Sequence, residues 1–188
     1  MVYDSVMPDS YTDTRPSTGR RWQIRRLALA DLEGLMRVQE ACYGPIYMES
    51  QEIYRARLAC NAQCSLVAVQ GDAVLGYLAA YHSKLGNITP LHGVFSTPPA
   101  PDTLYLHDMA VSPDCAGQGL ATALYSAMRR EAEVWAPRYS ALVSVQGSQA
   151  YWEHKGYALY TSLAPEQADA LRSYGDDAVY MTQVHAPK

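Results

Sequence analysis

Between Leu104 and Leu124 the chain reads LYLHDMAVSPDCAGQGLATAL, and no other stretch narrows its possible folds so far. Large apolar residues at Leu104, Leu106, Met109 and Val111 alternate with others, the pattern of a buried strand. Ser112-Pro113-Asp114 ends that strand, because Pro113 has no N–H to donate and Asp114 favours turns and helix caps. Gly117 and Gly119 follow, and Leu120, Ala121, Ala123 and Leu124 open a helix. A strand that passes through a glycine turn into a helix leaves several N–H groups unpaired at the first helical turn. With the positive end of the helix dipole these donors make an anion site suited to a pyrophosphate. The glycines let a ligand approach the backbone with no Cβ in the way.

Two common phosphate motifs are excluded. A P-loop needs Gly-Lys-Ser/Thr, but Leu120 follows Gly119 here. The dinucleotide fingerprint needs a small residue where this chain has Thr122, and an acidic residue on a second strand.

At 188 residues the chain can bury roughly 70% of its unfolded surface as one domain. Its 48% hydrophobic and 18% charged residues suit a soluble globular protein. A net charge of −4 gives no electrostatic case for nucleic acid or an anionic membrane as partner. No apolar run approaches the ~18 residues of a membrane span. The N-terminus MVYDSVMPDS lacks the basic and apolar regions of a signal peptide, so a cytoplasmic location is expected. Cys42, Cys60, Cys64 and Cys115 show no metal spacing and are expected to be free thiols, with no metal bound. Cys115 lies at the glycine turn, where a helix N-terminus lowers a thiol pKa, although a small residue tolerated in a turn explains it as well.

Taken in order, residues 1–20 lack periodicity and are expected to form a mobile tail, leaving 21–188 as the domain. Arg21 to Leu27 alternates as a first strand. Asp31 is expected to cap a helix with Leu32, Leu35, Met36 and Val38 in the core. Glu49 to Cys60 reads as a second amphipathic helix with Ile53, Tyr54, Arg57 and Leu58 on one face. Ser65–Val69 and Val74–Tyr81 flank Gln70-Gly71-Asp72 as a hairpin. The stretch from Ser83 to Asp102 is long for a structureless connection and is a candidate substrate-binding loop or lid. After the central strand and helix, Tyr139–Val145 is a strand, Gln149–Lys155 a short helix and Tyr157–Tyr160 a strand. Pro165–Leu171 follows as a helix, and Ala178–Val184 is the last strand.

The central stretch resembles the acetyl-CoA motif of the GNAT N-acetyltransferase superfamily. Met109-Ala110-Val111-Ser112-Pro113 matches the strand end of that motif, and Ala116-Gly117-Gln118-Gly119-Leu120-Ala121 matches its loop. The family's opening Arg/Gln is replaced by Ala116, which removes a side chain but keeps the backbone donors. A second match, Gln149-Ala150-Tyr151-Trp152-Glu153-His154-Lys155-Gly156-Tyr157, is similar to the family's Ala-x-x-Phe-Tyr-x-x-x-Gly-Phe element beside the cofactor. The resemblance spans roughly Trp22 to Val184.

The resemblance implies a single α/β (α+β) domain with a mixed, mostly antiparallel sheet of about seven strands flanked by helices. Strands 4 and 5 splay apart around a bulge, and the pantetheine arm of acetyl-CoA enters the gap and pairs with Met109 to Val111. It further implies cofactor contacts from Ala116 to Ala121 and from Gln149, Tyr151 and Trp152. A backbone N–H on the strand edge would polarise the thioester carbonyl, and the amine would attack it directly. An alkylammonium with a pKa of ~10.4 must first lose a proton, so a base or water path is needed.

His107 is the candidate base, expected on the same strand face as Met109, and serotonin N-acetyltransferase has a histidine at the matching position. A core histidine satisfied by hydrogen bonds is the competing reading. Asp108 is the second candidate, expected on the opposite face of a regular strand unless a bulge reverses it. The family's usual tyrosine acid falls at Trp152, which leaves no dedicated acid, a different tyrosine, or lost catalysis. A thiol like cysteine's, with a pKa of ~8.5, leaves with little protonation. Asp176 or Asp177 could hold an ammonium, or form a solvated acidic turn. Arg129 and Arg130, nearly three turns past the loop, read as surface charge rather than phosphate ligands.

The expected function is transfer of acetyl from acetyl-CoA to a primary amine of a small molecule or peptide. The alternative is a non-catalytic acyl-CoA-binding sensor of the same fold. Homodimers are common among proteins that resemble this one.

Overall fold

The computed structural model describes residues 22–185, so the expected tail over 1–20 lies outside the described residues. The alternating segments form strands β1 (Gln23–Arg26), β2 (Leu66–Gln70), β3 (Ala73–Ser83), β4 (Thr103–Val111), β5 (Tyr139–Ser144), β6 (Ala158–Leu159) and β7 (Val179–Val184). Among the described residues five α-helices accompany them: α1 (Leu32–Cys42), α2 (Gln51–Leu58), α3 (Leu120–Ala132), α4 (Gln149–His154) and α5 (Pro165–Arg172). The strands make one seven-stranded sheet in the order β1-β2-β3-β4-β5-β7-β6. Every neighbouring pair is antiparallel except β4 and β5, which run parallel.

Alternation along the strands sends apolar side chains to both faces, and each face is covered by helices. On one face Leu106, Leu120, Leu124, Met128, Leu142 and Trp152 form a continuous core. On the other Leu32, Leu35, Tyr54, Tyr77, Tyr81 and Tyr105 do the same. Each fully buried Leu contributes on the order of 1.5–3 kcal/mol relative to exposure, so these two layers fix which face of β4 each of its residues meets.

One expected boundary shifts and one expected cap bond does not form, each for a physical reason. The second helix begins at Gln51 rather than Glu49, because Ser50 is extended and its Oγ accepts from the Ile53 amide as an N-cap. Asp31 does precede α1, but its own backbone is helical and its carboxylate makes no cap bond there. It accepts instead from the Arg25 guanidinium, at 2.6 and 2.7 Å, and from the Ala28 amide. The long connection after β3 is tied down at separated points. The Ile88 amide donates to Gln167, the Leu91 amide to Ser173 Oγ and the His92 amide to Glu49.

The sheet opens at β4. Asp108 pairs with Ala79, but Leu106 pairs with Ala80, so His107 is an extra residue on β4. Such a bulge bends the strand and increases its twist. Pairing between β4 and β5 runs from Thr103–Tyr139 to Leu106–Leu142 and stops there. Beyond that point β5 stays with β7 to Ser144, and β4 stays with β3 to Val111. The splay expected between strands 4 and 5 therefore starts at the bulge.

Candidate active site

The turn between β4 and α3 has the backbone its sequence demands. Gly117 and Gly119 sit at φ +70° and +82°, the left-handed region that side chains disfavour. A Cβ on either would meet nothing within 4 Å, so the front of the turn is open. Around it the Cys115 amide donates to Ser112, Ala116 to Pro113, Gln118 to Cys115 and Ala123 to Gly119. Among the described residues, the amides of Gly117, Gly119, Leu120, Ala121 and Thr122 have no such acceptor. These donors sit at the positive end of the 13-residue helix α3, an arrangement that attracts an anion. The Gln118 side chain points back, its Nε2 donating to the Asp114 carbonyl at 2.9 Å, and Ala116 is exposed.

The strand leading to this turn presents an open edge. The Ser112 amide donates to the Leu75 carbonyl, which sets the alternation of β4 against β3. Met109 and Val111 then turn their N–H and C=O groups away from β3, and Ala110 turns its own toward it. Two side chains from the end of α1 meet this edge. Tyr43 Oη lies 3.2 Å from the Met109 carbonyl oxygen, and the Cys42 thiol donates to the Val111 carbonyl at 3.2 Å.

The bulge corrects the expected side-chain directions. Met109 packs with the core under α3, whereas His107 makes its contacts on the opposite face, so the two do not share a face. A regular strand would put Asp108 opposite His107. With the extra residue, both follow one another onto the face covered by α1 and α2.

His107 is 8% exposed and both ring nitrogens have neighbours. Nε2 lies 3.1 Å from Glu49 Oε2, and Nδ1 lies 3.3 Å from Tyr174 Oη. The Tyr174 hydroxyl donates to the Thr89 carbonyl at 2.6 Å. Glu49 is also the partner of Arg57, and the two side chains are each 2% exposed. Arg57 donates onward to the Gly93 carbonyl at 3.0 and 2.7 Å. Burial alone would raise the Glu49 pKa, but hydrogen bonds from Arg57 and His107 outweigh it and hold the carboxyl well below the usual range. Burial, reinforced by the nearby Arg57 charge, pulls the His107 pKa below its usual value. The ring is accordingly neutral near pH 7, with Nε2–H donating to Glu49.

Asp108 is surrounded differently. Tyr43 Oη donates to Oδ1 at 2.6 Å, and Oδ2 accepts from Tyr54 at 2.6 Å and from Tyr77. Burial and then the Asp108 charge raise the pKa of all three phenols, so they stay protonated as donors. No cationic side chain appears among these hydrogen-bond partners, and Oδ1 has one donor to the two on Oδ2.

The remaining expected residues lie around the other lip of the gap or away from it. Trp152 is 8% exposed, with edge-to-face ring contacts to Tyr125, Tyr151 and Tyr157. Tyr151 is exposed beside it, and Gln149 is half-buried with its amide on Glu153. Asp176 and Asp177 are exposed, and Arg129 reaches Gln183 on β7. Sequence reasoning missed Tyr43, Tyr54 and Tyr77 around Asp108, and Glu49 and Arg57 behind His107. One signal was available: an arginine at position 57 on the apolar face of a helix needs a buried anion.

The model of the family described as "Acetyltransferase (GNAT) family" matches residues 32–157. Among solved structures, the ribosomal-protein-S18-alanine N-acetyltransferase from Escherichia coli superposes with a TM-score of 0.65 at 16% identity, covering 89% of this chain and 96% of that one. A GNAT family acetyltransferase from Brucella melitensis in complex with acetyl-CoA gives 0.57 at 19% identity, covering 89% and 90%. The PaiA N-acetyltransferase from Thermoplasma acidophilum in complex with coenzyme A gives 0.59 at 13% identity, covering 88% and 100%. No curated protein matches the chain by sequence.

Proposed function

Since this chain belongs to the GNAT acetyltransferase family, we propose that it transfers acetyl from acetyl-CoA to the primary amine of a small molecule or peptide, by direct attack within a ternary complex. The observation that carries this reading is the set of amides without protein acceptors at Gly117 and from Gly119 to Thr122, placed at the end of a strand whose outer edge β5 leaves unpaired. Those amides would receive the pyrophosphate, and Met109 to Val111 would pair with the pantetheine arm. Gln149, Tyr151 and Trp152 would flank the arm from the β5 side. That acetyl-CoA and coenzyme A are bound by the Brucella and Thermoplasma neighbours supports the same cosubstrate here.

For proton removal, the geometry favours Asp108 as the base over His107. Asp108 is half-buried at the mouth of the gap, and its Oδ1 keeps accepting capacity. His107 is proposed to act one step back, with its Nε2–H on Glu49 and its ring against Phe95 and Tyr174. In that position it would brace the connection after β3 through Phe95. The four free cysteines suit a reducing compartment, and we place the enzyme in the cytoplasm.

The test is thiol release from acetyl-CoA in the presence of amino acids, polyamines, aminoglycosides and peptides. The proposal expects at least one amine to give release above background, with acetylated amine formed in equal amount. Coenzyme A binding with no release across the panel would support the non-catalytic sensor instead.

A further inference from the structure

We infer that Tyr43 is a further catalytic residue, the proton donor to the departing thiolate, reloaded from Asp108. The inference rests on the acetyl-transfer reading above and deepens it. At position 152, where the resemblance to the family motif implies a tyrosine, this chain has a tryptophan with no hydroxyl, packed among Tyr125, Tyr151 and Tyr157. The hydroxyl at the gap comes from the opposite lip. Tyr43 Oη lies 2.6 Å from Asp108 Oδ1 and 3.2 Å from the Met109 carbonyl oxygen, which faces the open edge of β4. A phenol has one proton and here two acceptors, so it can turn between them. The other two phenols on Asp108 are closed off, Tyr54 at 1% exposure and Tyr77 at 0%, while Tyr43 is half-buried.

A neutral amine attacks the thioester carbonyl carbon, the C–N bond forms, and nitrogen becomes positively charged. That nitrogen gives one proton to Asp108 Oδ1. As the C–S bond breaks, its electron pair stays on sulfur, and the Tyr43 hydroxyl gives its proton to that sulfur. Asp108 then returns the amine-derived proton to Tyr43 Oη. The products are the amide and the free thiol, and both side chains end in their starting forms. The ammonium's other proton leaves to water before attack. Burial and the neighbouring carboxylate hold the phenol's pKa above the ordinary value, which makes it a weak acid until Asp108 takes the amine's proton, so the two transfers are coupled.

The experiment compares the wild-type protein with Tyr43→Phe, using acetyl-CoA and acetyl-seleno-CoA as donors and whichever amine of the panel releases thiol fastest. A selenolate is a weaker base than a thiolate and leaves without protonation. Tyr43→Phe is expected to lose roughly 100-fold in kcat with acetyl-CoA, and much less with the selenoester, at unchanged coenzyme A affinity. An equal loss with both donors would make Tyr43 only a positioning residue for Asp108 and overturn the inference. No loss with either donor would overturn it outright while leaving acetyl transfer intact. Trp152→Tyr in the Tyr43→Phe background supplies a second variant: partial rescue with acetyl-CoA alone supports a missing acid. A wild-type protein silent on every amine would remove both the function and this step.

Discussion

Glu49→Ala should be among the most destabilising single changes in this chain, and the structure sets its size. Glu49 is 3% exposed and Arg57 1%, so neither charge can turn to water. The carboxylate accepts from two nitrogens of Arg57, from His107 Nε2 and from the His92 amide. Removing it leaves the guanidinium, among the described residues, with the Gly93 carbonyl as hydrogen-bond acceptor and the Tyr54 and Phe95 rings beside it, and His92 loses the bond that holds its backbone at φ +63°. An uncompensated buried charge costs about 3–5 kcal/mol, against a total stability of about 5–15 kcal/mol. With a urea slope of about 2 kcal/mol/M, the midpoint should fall by roughly 2 M. The double variant Glu49→Leu with Arg57→Met removes both charges and should recover part of that loss. It should still fall about 1–3 kcal/mol short of wild type, because the His92 amide and Gly93 carbonyl lose their partners. Urea unfolding followed by circular dichroism measures all three proteins. A Glu49→Ala loss below about 1 kcal/mol, or a double variant weaker than the single one, would refute the reasoning from buried charge.

Gly119→Ala should cost about 1–2 kcal/mol through its φ of +82° alone, since a Cβ there meets no protein atom. The same Cβ would stand before the free amides, so calorimetric titration with coenzyme A should show affinity weakened about tenfold or more, equivalent to about 1.4 kcal/mol; unchanged affinity would move the pyrophosphate elsewhere. The His107 pKa is lowered in the folded protein, so the unfolded chain binds the proton first as pH drops. Stability tied to this ring is therefore present above the unfolded value of ~6.5 and is lost as pH falls from there toward the folded pKa. His82 and His185 are shifted the same way, so the contribution of His107 is the difference between wild type and His107→Gln in melting temperature from pH 7 to pH 5. Parallel curves for the two proteins would mean that His107 titrates normally.

The parts of the fold legible in the sequence were those fixed by local periodicity. Period-two apolar residues, a proline stop and two glycines specify the strand, turn and helix around Gly117 because each acts through its own backbone. The face of His107 was not legible. The three-residue step from Leu106 to Met109 marks a slip in the period of two, but which residue of β4 goes unpaired depends on β3, and the sequence does not say that Ala80 pairs with Leu106 rather than with His107. The ring of phenols on Asp108 was hidden for a related reason. Tyr43, Tyr54 and Tyr77 come from the end of α1, from α2 and from β3, and only the packed sheet brings them to one carboxylate. Glu49 read as a helix residue because its polar character fits a first turn, and its partner Arg57 was the one visible hint of a buried anion.

The two carboxylates on this face carry the same charge, and their partners divide the work between them. Glu49 is matched by Arg57, so its pair is neutral as a unit and ties the connection after β3 to the sheet. Asp108 is held by phenols, which supply hydrogen bonds without a compensating positive charge. A half-buried carboxylate with that shell attracts a cation more strongly than a solvated one, because fewer water molecules screen it. The bulge at His107 places this charge where β4 parts from β5, at the mouth of the gap, while the amides that attract an anion lie at the far end of the same strand. One strand thus separates opposite electrostatic preferences along its length. A ligand with a polyanionic end and a neutral thioester can lie between them, and the proposed alkylammonium acceptor would meet Asp108. Exchanging Asp108 for asparagine would keep the shape and two of the four acceptor lone pairs but erase the charge. The proposed reaction should then lose turnover and acceptor affinity together, with coenzyme A binding unaffected.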